Sequence, residues 1–283
     1  NVHELHRIFG FRTYITTLVA IPNLLKLIYV SKKFLSKHVS VINHSVYPTV
    51  GNDNPGADHL YKSIYQQIDF VAIREHISHE LMGGLGVEAA LSFDCLPLTA
   101  QTMSLTNQKQ TDTVVISDSV ITSKDDLKPI IRLIKHLKKQ NKHVVILYGA
   151  KQNPGQDIIE FVQSLQQTFK QGIEFKNCTS LNEWFSVLSS ASVLVSGRFH
   201  YTIAAACVGT PFILLDSNTP KNLALSQTFN SEAPISFNTH NLADVLAEKL
   251  EDISALKVLS EPEKENIRAR ANKNFLFLDQ IAP

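Results

Sequence analysis

From Val114 to Leu215 the chain alternates without a break between short β-branched runs and longer amphipathic stretches. Val114-Val115-Ile116 is followed by a helical pattern from Lys124 to Lys139, and Val144 to Tyr148 by one from Asp157 to Phe169. Ile173-Glu174-Phe175 leads to a helix from Leu181 to Ser190, and Val193 to Val195 to one from His200 to Val208 before the run Phe212 to Leu215. Short apolar strands joined by amphipathic helices predict a parallel sheet covered on both faces, the doubly wound α/β class. The first third reads in the same way. A helix from Leu24 to Lys37 precedes a strand from Val39 to His44, closed by Pro48 and Gly51. A helix from Leu60 to Ile68, with Asp58 as its N-cap, precedes the strand Phe70 to Ile73, and a short helix from Ser78 stops at Gly83-Gly84 and Gly86. Thr99 to Thr113 is polar and aperiodic, and it marks a boundary. Residues 1–105 are expected to form an N-terminal α/β domain. Residues 106–283 are expected to form a C-terminal Rossmann-like domain, whose last helices, Leu242 to Ile281, pack back across the domains.

Composition supports that size of fold and narrows its partners. The 283 residues, 44% hydrophobic and 19% charged, exceed one ordinary domain and exclude a disordered chain. Lys+Arg 27 against Asp+Glu 26 gives a net charge of +1, without the positive field of a general nucleic-acid binder. Cys95, Cys178 and Cys207 are widely spaced with no CxxC, which fits a reducing, cytoplasmic location. The apolar stretch Tyr14 to Val30 is interrupted by Pro22, Asn23 and Lys26 and is too broken to span a bilayer. It reads as a buried or interfacial helix. Its continuation with Lys32, Lys33 and Lys37 either faces solvent or rests on anionic headgroups at the inner face of a membrane. The sequence opens at Asn1 rather than Met and reads as trimmed at its start.

In open parallel sheets ligands bind at the carboxyl ends of strands, where helix N-termini offer free N–H groups. Val195-Ser196-Gly197-Arg198-Phe199-His200 places a small-residue turn, a guanidinium and an imidazole at such an end. Ser196 and Gly197 permit the turn, Arg198 matches phosphate or carboxylate oxygens, and His200 has the chemistry of a general acid or base. The plainer alternative is an N-cap serine, a salt-bridged arginine and a packed histidine. The next strand ends in Asp216-Ser217-Asn218-Thr219-Pro220-Lys221, so Asn218 and Lys221 can meet the same anion or serve as cap and solvated surface. Arg74 follows the strand Phe70 to Ile73 and is expected to face Arg198 across a cleft, clamping one small polyanion; an interdomain arginine–carboxylate pair is the alternative. His44, Asp53 and His59 are candidates for contact with a hydroxyl-rich acceptor, or else ordinary turn chemistry.

No metal site is expected, because His76 and His79 lack a third ligand at a recognisable spacing. GxGxxG, the P-loop and GxSxG are absent, which removes the usual footprints of hydride transfer, nucleotide hydrolysis and serine hydrolysis.

Two segments resemble the polysaccharide pyruvyl transferase family. One runs from Leu181 to Leu215 and contains the Ser-x-Arg-apolar-His pattern as Ser196-Gly197-Arg198-Phe199-His200, with phenylalanine where leucine is usual, followed by Gly209-Thr210-Pro211. The other is Ile73-Arg74-Glu75-His76-Ile77-Ser78, similar to an Arg-acidic-x-x-Ser segment, followed by Phe93-Asp94-Cys95, where an aspartate is common. The glycine-asparagine-glycine-aspartate type of segment is absent. The resemblance implies two Rossmann-like domains in a GT-B-like arrangement. It implies transfer of pyruvate from phosphoenolpyruvate, with no further cofactor, to a sugar, oligosaccharide or lipid-linked glycan as a ketal in cell-envelope polysaccharide biosynthesis. It also implies donor roles for Arg74, Arg198 and His200, with residues 1–105 on the acceptor side and residues 106–283 on the donor side. A glycosyltransferase of the same fold using a nucleotide sugar, and a non-catalytic glycan-assembly module, are the alternative readings.

Overall fold

The computed structural model describes residues 28, 30–32, 34–35, 37–47, 61–103, 105, 112–117, 127–149 and 156–281. The chain forms two compact units, one made of Asn1–Cys95 with Ile267–Pro283 and the other of Leu96–Asn266.

The second unit is built on five parallel strands: β4 (Thr113–Ser117), β5 (His143–Gly149), β6 (Glu174–Cys178), β7 (Val193–Ser196) and β8 (Phe212–Leu214), in the order β6-β5-β4-β7-β8. The first unit holds β1 (Ser40–His44), β2 (Phe70–Ile73) and β3 (Ala90–Leu91), in the order β1-β2-β3, also parallel. Each sheet therefore belongs to the expected parallel α/β class.

Burial explains why these segments fold as they do. All five residues of β4 are buried, the continuous apolar run of a strand covered on both faces. The helix Leu127–Lys139 buries Leu127, Ile130, Leu133, Ile134 and Leu137, a spacing of three and four that forms one stripe against the sheet. Each such fully buried leucine or isoleucine contributes roughly 1.5–3 kcal/mol relative to exposure. The helix Phe199–Val208 differs: Phe199 and Tyr201 through Ala206 are all buried, so it has almost no solvent face. It ends at Gly209, whose φ of +74° supplies the left-handed cap.

Strand order marks the location of a candidate site. From β4 the chain moves outward through β5 and β6, then returns to the other side of β4 as β7 and continues to β8. The reversal between β4 and β7 is a topological switch point, the place where open parallel sheets bind ligands beyond the carboxyl ends of their strands.

The boundary between units falls at Cys95/Leu96 rather than at residue 105, and Ile267–Pro283 belong to the first unit rather than the second. Two local facts account for this. Leu96–Gln101 forms a helix that packs on Phe199–Val208; its Leu-Pro-Leu-Thr-Ala-Gln is too short to show periodicity. Asn274, in the short 3₁₀ segment Lys273–Phe275, is fully buried and tied to the first sheet. Its Oδ1 accepts from Asn43 N at 2.8 Å and Ser92 Oγ at 3.0 Å, and its Nδ2 donates to Phe93 O at 2.7 Å.

Among the described residues no helix is long and apolar enough to cross a membrane. Cys95, Cys178 and Cys207 are thiols, with no disulfide among them. Burial pushes the Cys178 thiol up to about 12, with Glu183 adding to the effect.

Candidate functional site

In the second unit, β4 and β7 both end in a serine. Ser117 and Ser196 are 3% and 0% exposed, and their hydroxyls lie 2.6 Å apart at the switch point. The Arg198 N–H donates to Ser196 Oγ at 3.0 Å, which makes Ser196 the residue that turns the chain out of β7. Arg198 is the N-cap of Phe199–Val208 in extended conformation, and its carbonyl accepts from Thr202 N at 3.2 Å. Arg198 thus stands just past the strand end, at the positive end of a buried helix. Gly197 is buried, Arg198 is half-buried, and His200, in the first turn, is exposed. This grouping of Ser196, Gly197, Arg198 and His200 lies on the predicted carboxyl edge.

The loop after β8 lies against the same turn. Leu215 N donates to Ser196 O at 2.8 Å, and Asn222 Nδ2 donates to both Gly197 O and Leu215 O at 2.9 Å. Lys221 opens the helix Lys221–Phe229 and Asn218 is exposed, accepting from Ser217 Oγ at 3.3 Å. Asp216 accepts from Phe237 N at 3.1 Å, a structural bond that orders the loop. Ser117 and Asn222 escape sequence reasoning: one ends an unremarkable strand, and the other lies one residue past the strand-end loop.

In the first unit, Arg74 follows β2. Its N–H donates to His44 O at 2.9 Å, its Nη1 lies 2.9 Å from Asp94 Oδ2, and its Nε donates to Ser45 Oγ at 2.7 Å. The carboxylate partner comes from Phe93-Asp94-Cys95, so the two pieces of the N-terminal motif meet as one ion pair inside this unit. Asp94 is almost wholly buried, with a side chain 3% exposed, while that of Arg74 is 18% exposed. Glu75 and Ser78 have structural tasks. The buried Glu75 carboxylate caps His76–Gly84 by accepting from Ser78 N, and Ser78 Oγ donates to Val46 O at 2.7 Å and accepts from Val46 N at 2.8 Å. They fix the loop after β1 against the helix after β2.

His44 ends β1, and its Nε2 shares a 2.6 Å hydrogen bond with Tyr65 Oη. Burial, and then the Arg74 charge, hold its imidazole below the usual value of 6.5, while burial raises the Tyr65 phenol. With Nε2 engaged, only Nδ1 of this ring is left for a ligand. The other two acceptor candidates, Asp53 and His59, lie outside the described residues. His79 Nε2 lies 2.9 Å from Ala89 O, and among the described residues no group of three His, Cys, Asp or Glu side chains converges on a metal site.

Sequence comparison matches the family model for polysaccharide pyruvyl transferase to residues 20–219, a span containing both the Arg74 and the Arg198 segments. No curated protein matches the chain by sequence. Among solved structures it is similar to UDP-GlcNAc 2-epimerase from Methanocaldococcus jannaschii, solved with UDP-GlcNAc and UDP, at TM-score 0.60 and 12% identity over 90% of this chain and 73% of that one. The epimerase from Neisseria meningitidis matches at TM-score 0.57 and 10% identity, over 87% and 70%. A glycosyltransferase from Rickettsia africae matches at 0.54 and 11%, over 90% and 76%. At such identities the likeness is one of fold: α/β with parallel sheets, of the two-domain Rossmann-like kind called GT-B.

Proposed function

Because this chain belongs to the polysaccharide pyruvyl transferase family, we propose that it transfers pyruvate from phosphoenolpyruvate to hydroxyls of a polysaccharide or its precursor, forming a ketal. The observation that carries the reading is the placement of Ser196, Gly197, Arg198 and His200 at the switch-point end of β7, within the matched span. Phosphoenolpyruvate is a small dianion or trianion. An arginine at the N-terminus of a buried helix is suited to its phosphate or carboxylate.

The chemistry needs a proton at C3 of the enol, which leaves an oxocarbenium-like C2. A first sugar hydroxyl attacks C2 and gives up its proton. The C2–O bond to phosphate then breaks, phosphate departs with the electron pair, and a second hydroxyl closes the ketal with loss of its proton. Arg198 neutralises the donor and stabilises the departing phosphate. His200, exposed at the same helix end, is assigned the proton to C3 or to phosphate. Ser196 and Gly197 shape the turn, and Asn218 and Lys221 supply an amide and an ammonium on the neighbouring loop. Arg74, oriented by Asp94 and Ser45, is the second donor arginine of the reading. His44 serves the acceptor through Nδ1, with Asp53 and His59 assigned to the acceptor as well. The reaction uses phosphoenolpyruvate as co-substrate and no other cofactor. The acceptor is a sugar, an oligosaccharide or a lipid-linked glycan. The reading places the enzyme in the cytoplasm, at the inner membrane face where the acceptor is lipid-linked.

Thermal unfolding with phosphoenolpyruvate and with a panel of nucleotide sugars tests the assignment, since a ligand of the native state raises the midpoint by mass action. The expected result is a rise with phosphoenolpyruvate, and acceptor-dependent phosphate release from it. A rise with UDP-sugars alone, with no phosphate released from phosphoenolpyruvate, transfers the case to a nucleotide-sugar glycosyltransferase. No response to either class favours a non-catalytic glycan-assembly module.

A further inference from the structure

We propose that Asn222 is a positioning residue for the donor anion, acting through Arg198. The inference rests on the reading that Arg198 binds phosphoenolpyruvate. The Gly197 carbonyl and the Arg198 N–H belong to one planar peptide unit, so fixing both ends fixes the direction in which the chain enters Arg198. Ser196 Oγ holds the N–H end at 3.0 Å and Asn222 Nδ2 holds the carbonyl end at 2.9 Å. The residue before this peptide is glycine, whose permissive backbone gives little resistance to a flip of the plane. Asn222 therefore supplies the restraint that Gly197 lacks.

The second amide hydrogen of Asn222 goes to Leu215 O, 2.9 Å away. Leu215 also donates its N–H to Ser196 O. Ser196, Gly197, Leu215 and Asn222 thus form a closed ring of hydrogen bonds. That ring holds the turn carrying Arg198 and His200 against the loop carrying Asn218 and Lys221. Asn222 is 1% exposed, too buried to serve as a surface contact for a sugar. Its geometry suits the shaping of the cradle rather than contact with the reacting atoms.

The test is a double-mutant cycle on the steady-state KM for phosphoenolpyruvate with saturating acceptor, in the full chain. Asn222→Ala should raise the donor KM by about tenfold or more, the loss of a restrained charged contact, with the acceptor KM unchanged. In an Arg198→Ala background the same substitution should change the donor KM by less than about twofold, because its effect passes through the missing side chain. Asn222→Ser, which keeps one donor, should fall between wild type and alanine, and it replaces the alanine variant in the cycle if that protein does not fold. An unchanged donor KM in a folded Asn222 variant overturns the proposal. So does an equal rise in both backgrounds, which is the signature of a merely structural role. An Arg198→Ala enzyme with wild-type donor KM overturns the underlying reading of Arg198 as well, and that result is visible without any Asn222 variant.

Discussion

Removing either partner of the Arg74–Asp94 pair should destabilise the first unit, but by different amounts and for a calculable reason. The Asp94 side chain is 3% exposed and that of Arg74 is 18% exposed, so the carboxylate depends on its partner far more than the guanidinium does. Arg74→Met removes the cation 2.9 Å from a nearly dry carboxylate. Stripping a buried pair in this way costs about 3–5 kcal/mol, reduced where the carboxylate takes up a proton. Asp94→Asn keeps an acceptor of the same shape and removes only the charge, and Arg74, with more access to water, recovers part of its solvation. A hydrogen bond to a charged group is worth roughly 1.5–3 kcal/mol, and asparagine preserves some of it, so the expected loss is about 1–2 kcal/mol. The double variant has lost both charges of the pair and should be more stable than Arg74→Met alone. Urea unfolding followed by far-ultraviolet circular dichroism measures the three variants. The one tryptophan of the chain, Trp184, is buried in the second unit, so its fluorescence reports that unit separately. Equal losses in the two single variants, or a double variant less stable than both, would refute the burial argument.

His200 is exposed, so its removal should leave folding intact; His200→Ala should lower kcat by about 100- to 10,000-fold with donor KM largely kept, as befits an acid–base group. Arg198→Ala should instead weaken donor binding about tenfold or more, and steady-state kinetics that show the reverse split would exchange the two roles. Burial and the Arg74 charge depress the His44 pKa below 6.5, so the unfolded chain binds the proton more readily than the folded one. His44 therefore contributes stability that is complete above pH 6.5 and is lost as the pH falls through the lowered native value. A Tm profile of His44→Gln should be flatter than wild type across that window; parallel profiles would count against the burial of this ring as the cause.

Local periodicity carried most of the second unit into view. Leu181–Ser190 coincides with the helix expected there, because Ser180 caps it and Trp184, Phe185 and Leu188 fall on one face. Strands β4, β5 and β7 lie where β-branched runs predict them. β3 was out of reach, since two residues, Ala90 and Leu91, cannot display an alternation. The switch-point turn was legible because strand, small residues, arginine and histidine are adjacent in sequence. Its supports were not: Ser117 meets Ser196 across 79 positions and Asn222 meets Gly197 across 25. A single polar residue whose partner is a distant hydroxyl or carbonyl leaves no pattern in its own neighbourhood. Arg74 illustrates the opposite hazard. A strand-end arginine reads as a ligand contact, and only the fold reveals that Asp94 and Ser45 already hold part of its guanidinium.

The interrupted layout of the first unit imposes an order on its formation during synthesis. Ser45 meets Arg74 across 29 positions, whereas Asn43 meets Asn274 across 231. For a flexible chain each doubling of loop length adds about 0.6 kcal/mol of closure entropy, so these three doublings add roughly 2 kcal/mol. The intervening Leu96–Asn266 is continuous and rich in neighbouring strand–helix contacts. It can complete its own sheet as it leaves the ribosome, while Asn43 N, Ser92 Oγ and Phe93 O still await the side chain that satisfies them. The unit translated first is then the one finished last, and a nascent chain halted before Asn274 carries a parallel sheet whose polar seam is open.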